Sequence, residues 1–312
     1  MAKIAFIFPG QGSQSVGMGR DLYDKYSSFR KIFDEAETIL NIDLKQVIFE
    51  GPAEKLKQTQ FTQPAIFVMS AGCLAVLKEK GLDSEMVAGH SLGEYAALFA
   101  AGTLTLADIL RLVQKRSQFM QEAGEKRPGS MAAIIGMGIQ EVNDICQAVS
   151  QYGVAEAVNF NCPSQIVIAG DVKACEEAVK LAQRKGALKA IKLEVSGAFH
   201  SSLMNEASQK FSQELTKYDI KDAIIPVITN FKAQETKSST EIREGMIKQI
   251  NNPVRWEESV NKMLSGGIDT FIEVGPGRVL SGLIKRINKA VNILNVEDDK
   301  SLNKTLDKIT GS

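Results

Sequence analysis

A chain of 312 residues that is 44% hydrophobic can bury a large core, as one large domain or two. Its 37 basic residues balance 37 acidic ones, so no global field directs it to nucleic acid or a membrane surface, and a charged partner must meet a local patch. The four cysteines, Cys73, Cys146, Cys162 and Cys175, form no C-x-x-C pair, and there are only two histidines. Neither a metal site nor a disulfide framework is expected, and the spacing fits reduced thiols in a cytoplasmic protein.

Residues 3–8, apolar after Lys3, predict a buried strand. The run is too short for a signal-peptide core, and no run approaches a membrane span. Pro9-Gly10-Gln11-Gly12-Ser13 is a loop, and residues 21–40 are mostly helical. A further helix begins at Thr62-Gln63-Pro64, with Pro64 near its first turn, and runs to Lys80-Gly81. Residues 85–88 read as the end of a strand, and residues 94–101 as an Ala-rich helix. Between them stands Gly89-His90-Ser91-Leu92-Gly93. Residues 105–123 form a helix with Leu106, Ile109, Leu110 and Val113 on its apolar face.

Lys126-Arg127-Pro128-Gly129 marks a boundary. Beyond it come a strand at 131–135, a helix at 139–151, strands at 154–160 and 165–169, a helix capped by Asp171 and ending at Lys185, and a strand at 187–195. That order, β-α-β-β-α-β, is the order of a ferredoxin-like unit. Residues 235–244 are polar and read as a surface loop or linker. A strand at 270–274, the turn Gly275-Pro276-Gly277 and a helix at 279–288 complete the pattern. Strands alternating with helices predict an α/β fold with a mostly parallel sheet. The expected organisation is a discontinuous large domain, 1–126 and 197–312, with residues 127–196 inserted as a small domain and a ligand cleft between the two.

Gly89-His90-Ser91-Leu92-Gly93 has the form G-x-S-x-G in the strand–turn–helix setting that exposes a nucleophilic serine. The plainer reading is a glycine-flanked serine in an ordinary turn. A serine nucleophile needs a base. His90 adjoins Ser91 and should point away from it, so His200 is the base by elimination. Gly10-Gln11-Gly12-Ser13-Gln14-Ser15 is neither a dinucleotide fingerprint, which needs glycine or alanine at Ser15, nor a P-loop, since Met18-Gly19 stand where Lys-Ser/Thr should be. Placed opposite Ser91, this loop would supply half of an oxyanion hole. Arg116 shares a helix face with Met120. It is either part of a solvated face with Lys115 or a guanidinium holding a substrate carboxylate through two hydrogen bonds.

These motifs, together with Phe8-Pro9-Gly10-Gln11-Gly12-Ser13-Gln14, Thr62-Gln63-Pro64-Ala65, Phe119-Met120-Gln121, Asn159-Phe160-Asn161, Ala198-Phe199-His200, Gln249 through Asn252-Pro253-Val254, and Glu273-Val274-Gly275-Pro276-Gly277, run essentially end to end. In them the sequence resembles the malonyl-CoA:acyl-carrier-protein transacylases of type II fatty-acid synthesis. The resemblance implies an α/β-hydrolase-like core with a ferredoxin-like insertion, Ser91 as the acylated nucleophile and His200 as its base. It implies an oxyanion hole from the backbone N–H groups of Gln11 and Leu92, and Arg116 on the malonyl carboxylate. Gln249 would orient His200 through its backbone carbonyl, and His90, Met120, Asn161 and Phe199 would line or support the pocket. Phe199 before the histidine goes with malonyl rather than branched extender units. Malonyl-CoA and an acyl carrier protein are the implied partners. No cofactor, metal, nucleic acid or membrane is implied, and a monomer is expected. The rival readings are a serine hydrolase of the same fold, with water replacing the carrier thiol, and a non-catalytic carrier-binding homologue.

Overall fold

The computed structural model describes residues 2–195 and 197–311. Its strands are β1 (Ile4–Phe8), β2 (Met86–Gly89), β3 (Gly129–Ile135), β4 (Ala155–Cys162), β5 (Gln165–Asp171), β6 (Lys189–Lys192), β7 (Val227–Ile228), β8 (Glu235–Thr236), β9 (Thr270–Val274) and β10 (Asn292–Val296). Six of them form one sheet in the order β10-β9-β1-β2-β7-β8, parallel throughout except for the β7–β8 pair. Every residue of β1, β2 and β9 is buried. Helices cover both faces of such a sheet, which is why its central strands read as unbroken apolar runs. The fold is therefore mixed α/β with a mostly parallel main sheet.

The other four strands form an antiparallel sheet in the order β4-β5-β3-β6. It is joined to the large layer rather than hinged from it. Phe160 N–H donates to the Val254 carbonyl at 2.9 Å, and Val254 N–H donates to that of Val158 at 2.8 Å. The edge strand β6 is shorter than expected, and three of its four residues are exposed. Ser196, the last residue assigned to the insertion, lies outside the described residues.

Several expectations need correction. Residues 21–40 form two helices, Arg20–Lys25 and Ser27–Leu40, because Tyr26 is extended (φ −113°, ψ 119°) and its hydroxyl donates to Asp299 at 2.7 Å. The Pro64 helix begins earlier, at Thr59, and runs to Glu79. Pro64 removes the helical donor to the Gln60 carbonyl, but Gln60 is exposed and water can replace that bond. This helix is also long and apolar enough to cross a membrane, although 83% of its most apolar stretch is buried in the protein core.

Asp171 stands at the N-cap position of the helix Val172–Arg184, as expected, but its side chain makes no capping hydrogen bond. Its carboxylate accepts instead from Arg127 Nε and Nη2, at 2.9 and 2.7 Å, and from Val154 N–H at 2.8 Å. The expected helix at 139–151 is α-helical over Ile139–Ala148 and tightens to a 3-10 turn at Ser150–Tyr152. The polar run at 235–244 is β8 followed by a helix, Ser239–Gln249, whose Ile242 and Met246 are one turn apart and buried.

Backbone packs very closely where β1 and β2 meet the helix Gly93–Ala100. A Cβ on Gly89 would lie 1.9 Å from the Gly93 carbonyl carbon, and one on Gly93 would lie 2.0 Å from the Phe8 oxygen. All these neighbours are backbone, so neither strand nor helix can yield locally. Gly89→Ala should therefore cost about 3 kcal/mol or more of stability. Gly282 is the contrast: it is exposed inside the helix Val279–Ile287, with nothing within 4 Å of an added Cβ. Gly282→Ala should raise stability by about 0.5–1 kcal/mol. Denaturant midpoints of the two variants check both signs.

Candidate active site

Ser91 occupies the turn between β2 and the helix Gly93–Ala100 with φ of 52°, a left-handed conformation that a serine adopts only when its surroundings impose it. The side chain of Asn230 supplies much of that constraint. Its Oδ1 accepts from Ser91 N–H at 2.7 Å, and its Nδ2 donates to the Gly89 carbonyl at 2.6 Å.

Ser91 Oγ lies 2.7 Å from His200 Nε2, and His200 Nδ1 lies 2.7 Å from the Gln249 backbone carbonyl. A carbonyl can only accept, so the ring carries its proton on Nδ1 and presents the Nε2 lone pair to the serine. His200 also has a positive φ, 64°. Its turn is held by Ser201, whose hydroxyl donates to the Ala198 carbonyl at 2.6 Å, and by Ser202, whose N–H and hydroxyl each donate to Glu156 at 2.7 Å. Burial, reinforced by the Arg116 charge, depresses the His200 pKa to about 3 against the opposing pull of the Gln249 carbonyl. The imidazole is neutral at physiological pH, the form a general base requires.

Arg116, on the helix Leu106–Lys126, is only 1% exposed, which removes the solvated-face alternative. Nη1 donates to Gln63 Oε1 at 2.5 Å, and Nη2 donates to Gln249 Oε1 at 2.9 Å and to Ser91 Oγ at 3.2 Å. Its hydrogen-bond partners are two neutral amides and a hydroxyl. Among the described residues it has no carboxylate partner. Burial lowers its pKa. Glu94 acts on it only at longer range; a buried cation with no carboxylate in direct contact is costly, and an anion entering the site would relieve that cost.

A cleft of about 460 Å³ opens beside these groups and is lined by Gln11, His90, Ser91, Leu92, Arg116, Met120, Asn161, Phe199 and His200. Gln249 lies behind it, fully buried. Among the described residues, the backbone N–H groups of Gln11 and Leu92 donate to no protein acceptor. The Gln11 side chain is held by a short relay: Gln63 Nε2 donates to Thr59 Oγ1 at 2.9 Å, and Thr59 donates to Gln11 Oε1 at 3.0 Å. His90 turns away from Ser91, with Nε2 2.8 Å from Asn161 Oδ1 and its ring edge-to-face with Trp256. Burial lowers its pKa too.

Four residues given no role in the sequence analysis hold this geometry: Gln63, Glu94, Glu156 and Asn230. Gln63 lies inside the Thr62-Gln63-Pro64-Ala65 motif and Glu94 opens the predicted helix 94–101, yet nothing in the spacing marks either as a contact. Glu156 and Asn230 are brought in by tertiary structure alone. Among the described residues no carboxylate accepts from His200; a backbone carbonyl takes that place. The assembly can perform nucleophilic acyl chemistry on a substrate that carries a negative charge near the reacting carbonyl.

The acyl transferase domain model matches residues 5–302. The malonyl CoA-acyl carrier protein transacylase of Bacillus subtilis (strain 168) is 46% identical over 303 residues, spanning 97% of this chain and 96% of that protein. The crystal structure of an acyl-carrier-protein S-malonyltransferase from Burkholderia pseudomallei 1710b superposes with a TM-score of 0.94 at 41% identity, covering 98% of this chain and 99% of that one. A malonyl-transacylase solved in complex with its type II PKS acyl-carrier protein gives 0.95 at 38% identity, covering 98% and 100%. The chain belongs to the acyl transferase domain family and, within it, to the malonyl CoA-acyl carrier protein transacylases.

Proposed function

We propose that this protein moves a malonyl group from malonyl-CoA to the phosphopantetheine thiol of an acyl carrier protein through a malonyl ester of Ser91. His200 takes the Ser91 proton as the oxygen attacks the thioester carbonyl. The N–H groups of Gln11 and Leu92 hold the tetrahedral oxyanion, an interaction worth about 3 kcal/mol per donor in such sites. CoA leaves as the thiol with the proton from His200. The carrier thiol then attacks the serine ester, His200 taking its proton and returning it to Ser91. The Gln249 carbonyl keeps the imidazole in the required tautomer, the part a carboxylate plays in a common triad.

The observation that carries this reading is the buried Arg116, 3.2 Å from the Ser91 hydroxyl and without a carboxylate partner among the described residues. A malonyl carboxylate would supply that partner; an acetyl group would leave the cation unpaired. His90, Met120, Asn161 and Phe199 shape the rest of the pocket. We read the frame as an α/β-hydrolase-like core, 1–126 and 197–312, carrying a ferredoxin-like insertion at 127–196. The β4-β5-β3-β6 order and its β-α-β-β-α-β connectivity support that reading.

Arg116→Ala should lower malonyl transfer by about a hundredfold and narrow the preference over acetyl-CoA, because only malonate makes the charge-assisted pair. Competition assays with both thioesters check it; an unchanged preference contradicts the carboxylate role.

Two stretches of the chain are rich in cations, and the first, residues 173–192, with six basic residues against two acidic ones, is partly neutralised, since Lys173 and Lys180 both pair with Glu177 at 3.0 Å. The helix Val279–Ile287 borders the cleft through Val279, Leu280 and Leu283, and its last turn carries Lys285 and Arg286. Neither of these two cations, nor Arg278 or Lys289, has a carboxylate partner among the described residues. Charge reversal at Lys285 and Lys289 should raise the Michaelis constant for an acidic carrier about tenfold at low salt and leave serine loading intact. Steady-state kinetics with carrier varied, beside single-turnover loading, separate the two steps.

A further inference from the structure

Glu94 is a carboxylate that neither the acyl-transfer steps nor the pocket uses. It follows the serine turn by one residue beyond Gly93 and is 1% exposed. Its Oε2 accepts from Asn230 N–H at 2.8 Å and from Gln249 Nε2 at 3.1 Å. Burying such a group is costly, and burial raises its pKa to about 7 against the opposing pull of Asn230, Gln249 and the Arg116 charge. A buried helix surface has no use for a carboxylate unless its position does something.

What it touches is the Gln249 side chain. That amide has two chemically different ends. Oε1 accepts from Arg116 Nη2 at 2.9 Å, while Nε2 donates to the Ser91 carbonyl at 2.8 Å and to Glu94. Turning the amide over would set its oxygen against the Ser91 carbonyl and the Glu94 carboxyl, and its NH₂ against the guanidinium. Both juxtapositions lack a matched donor and acceptor. The network therefore admits one orientation, and an ionised carboxylate, which can only accept, enforces it most strongly. Glu94 also accepts from the backbone of Asn230, whose side chain holds Ser91 and Gly89.

We propose that Glu94 is a specificity-determining positioning residue: by fixing the Gln249 amide it aims the Arg116 guanidinium at the acyl pocket and so sets the preference for a carboxylated acyl group. This rests on the carboxylate-binding reading of Arg116. It assigns the Gln249 side chain a task separate from that of its backbone carbonyl, which serves His200 alone. Removing the acceptor frees the amide to rotate and lets the guanidinium follow it. Attack by Ser91 on an uncharged electrophile depends less on either movement, because the Asn230 side chain still binds the turn through Ser91 N–H and the Gly89 carbonyl.

The test measures kcat/KM for malonyl-CoA and acetyl-CoA, and the rate of labelling by a fluorophosphonate, in the wild type, Arg116→Ala, Glu94→Leu and Glu94→Gln. Glu94→Leu should cut the malonyl-to-acetyl preference about tenfold or more, in the same direction as Arg116→Ala, with labelling slowed far less. Glu94→Gln retains an acceptor oxygen and should keep most of the preference. If Glu94→Leu does not fold, Glu94→Asp, one methylene short of the same contact, should lose the preference in its place. An unchanged preference in Arg116→Ala overturns the carboxylate reading and the role of Glu94 with it. A preference lost in Arg116→Ala but kept in the Glu94 variants overturns the role of Glu94 alone, as does an equal fall in both substrates and the probe.

Discussion

The left-handed backbone of Ser91 is the constraint around which the site is arranged. The residue can hold φ of 52° only because Gly89 and Gly93 bring strand, turn and helix into backbone contact, and because Asn230 binds the turn from both sides. That geometry fixes where the hydroxyl points, and the other groups converge on it from distant parts of the chain. His200 arrives on a turn that itself needs a positive φ and is held by Glu156 of β4. Strain at both residues of the proposed pair is offset by hydrogen bonds from rigid neighbours, so their geometry is set in the protein alone.

Electrostatics add a second constraint. Arg116 and His200 are both buried, and the cation helps keep the imidazole neutral. The same cation is solvated by two glutamine side chains instead of an ion pair. A carboxylate of the protein in direct contact with it would have closed the site to anions. Neutral amides leave the charge available, and the proposed discrimination between charged and uncharged acyl groups rests on that.

Much of this was legible in the sequence. The buried strands at 3–8 and 270–274 read directly, because parallel strands covered on both faces are continuous apolar runs. The connectivity of the small sheet could be followed because turns and apolar stretches alternate clearly there. Ser91 and His200 stood out through motif context and the scarcity of histidine. The helix Ser239–Gln249 did not, because only Ile242 and Met246 mark its buried face within a polar run. Strand β7 is two residues long, and no periodicity exists at that length. Arg116 stood open between two readings because Lys115 adjoins it; tertiary packing buries the arginine and leaves the lysine partly exposed. Gln249 was reached only through family resemblance, since its contact with His200 is a backbone carbonyl, which every residue type has. Nothing in the sequence singles out Glu94, because an acid in the first turn of a helix is favourable on electrostatic grounds alone.

The most direct measurement of the central claim is the mass of the intact protein after incubation with malonyl-CoA in the absence of any carrier, followed by mapping of the modified peptide. The account predicts one malonyl group per chain, carried by the peptide that contains Ser91, discharged when a holo carrier protein is added, and absent in Ser91→Ala. An adduct on another residue, an adduct that persists in Ser91→Ala, or release of malonate to water as fast as to the carrier would contradict it.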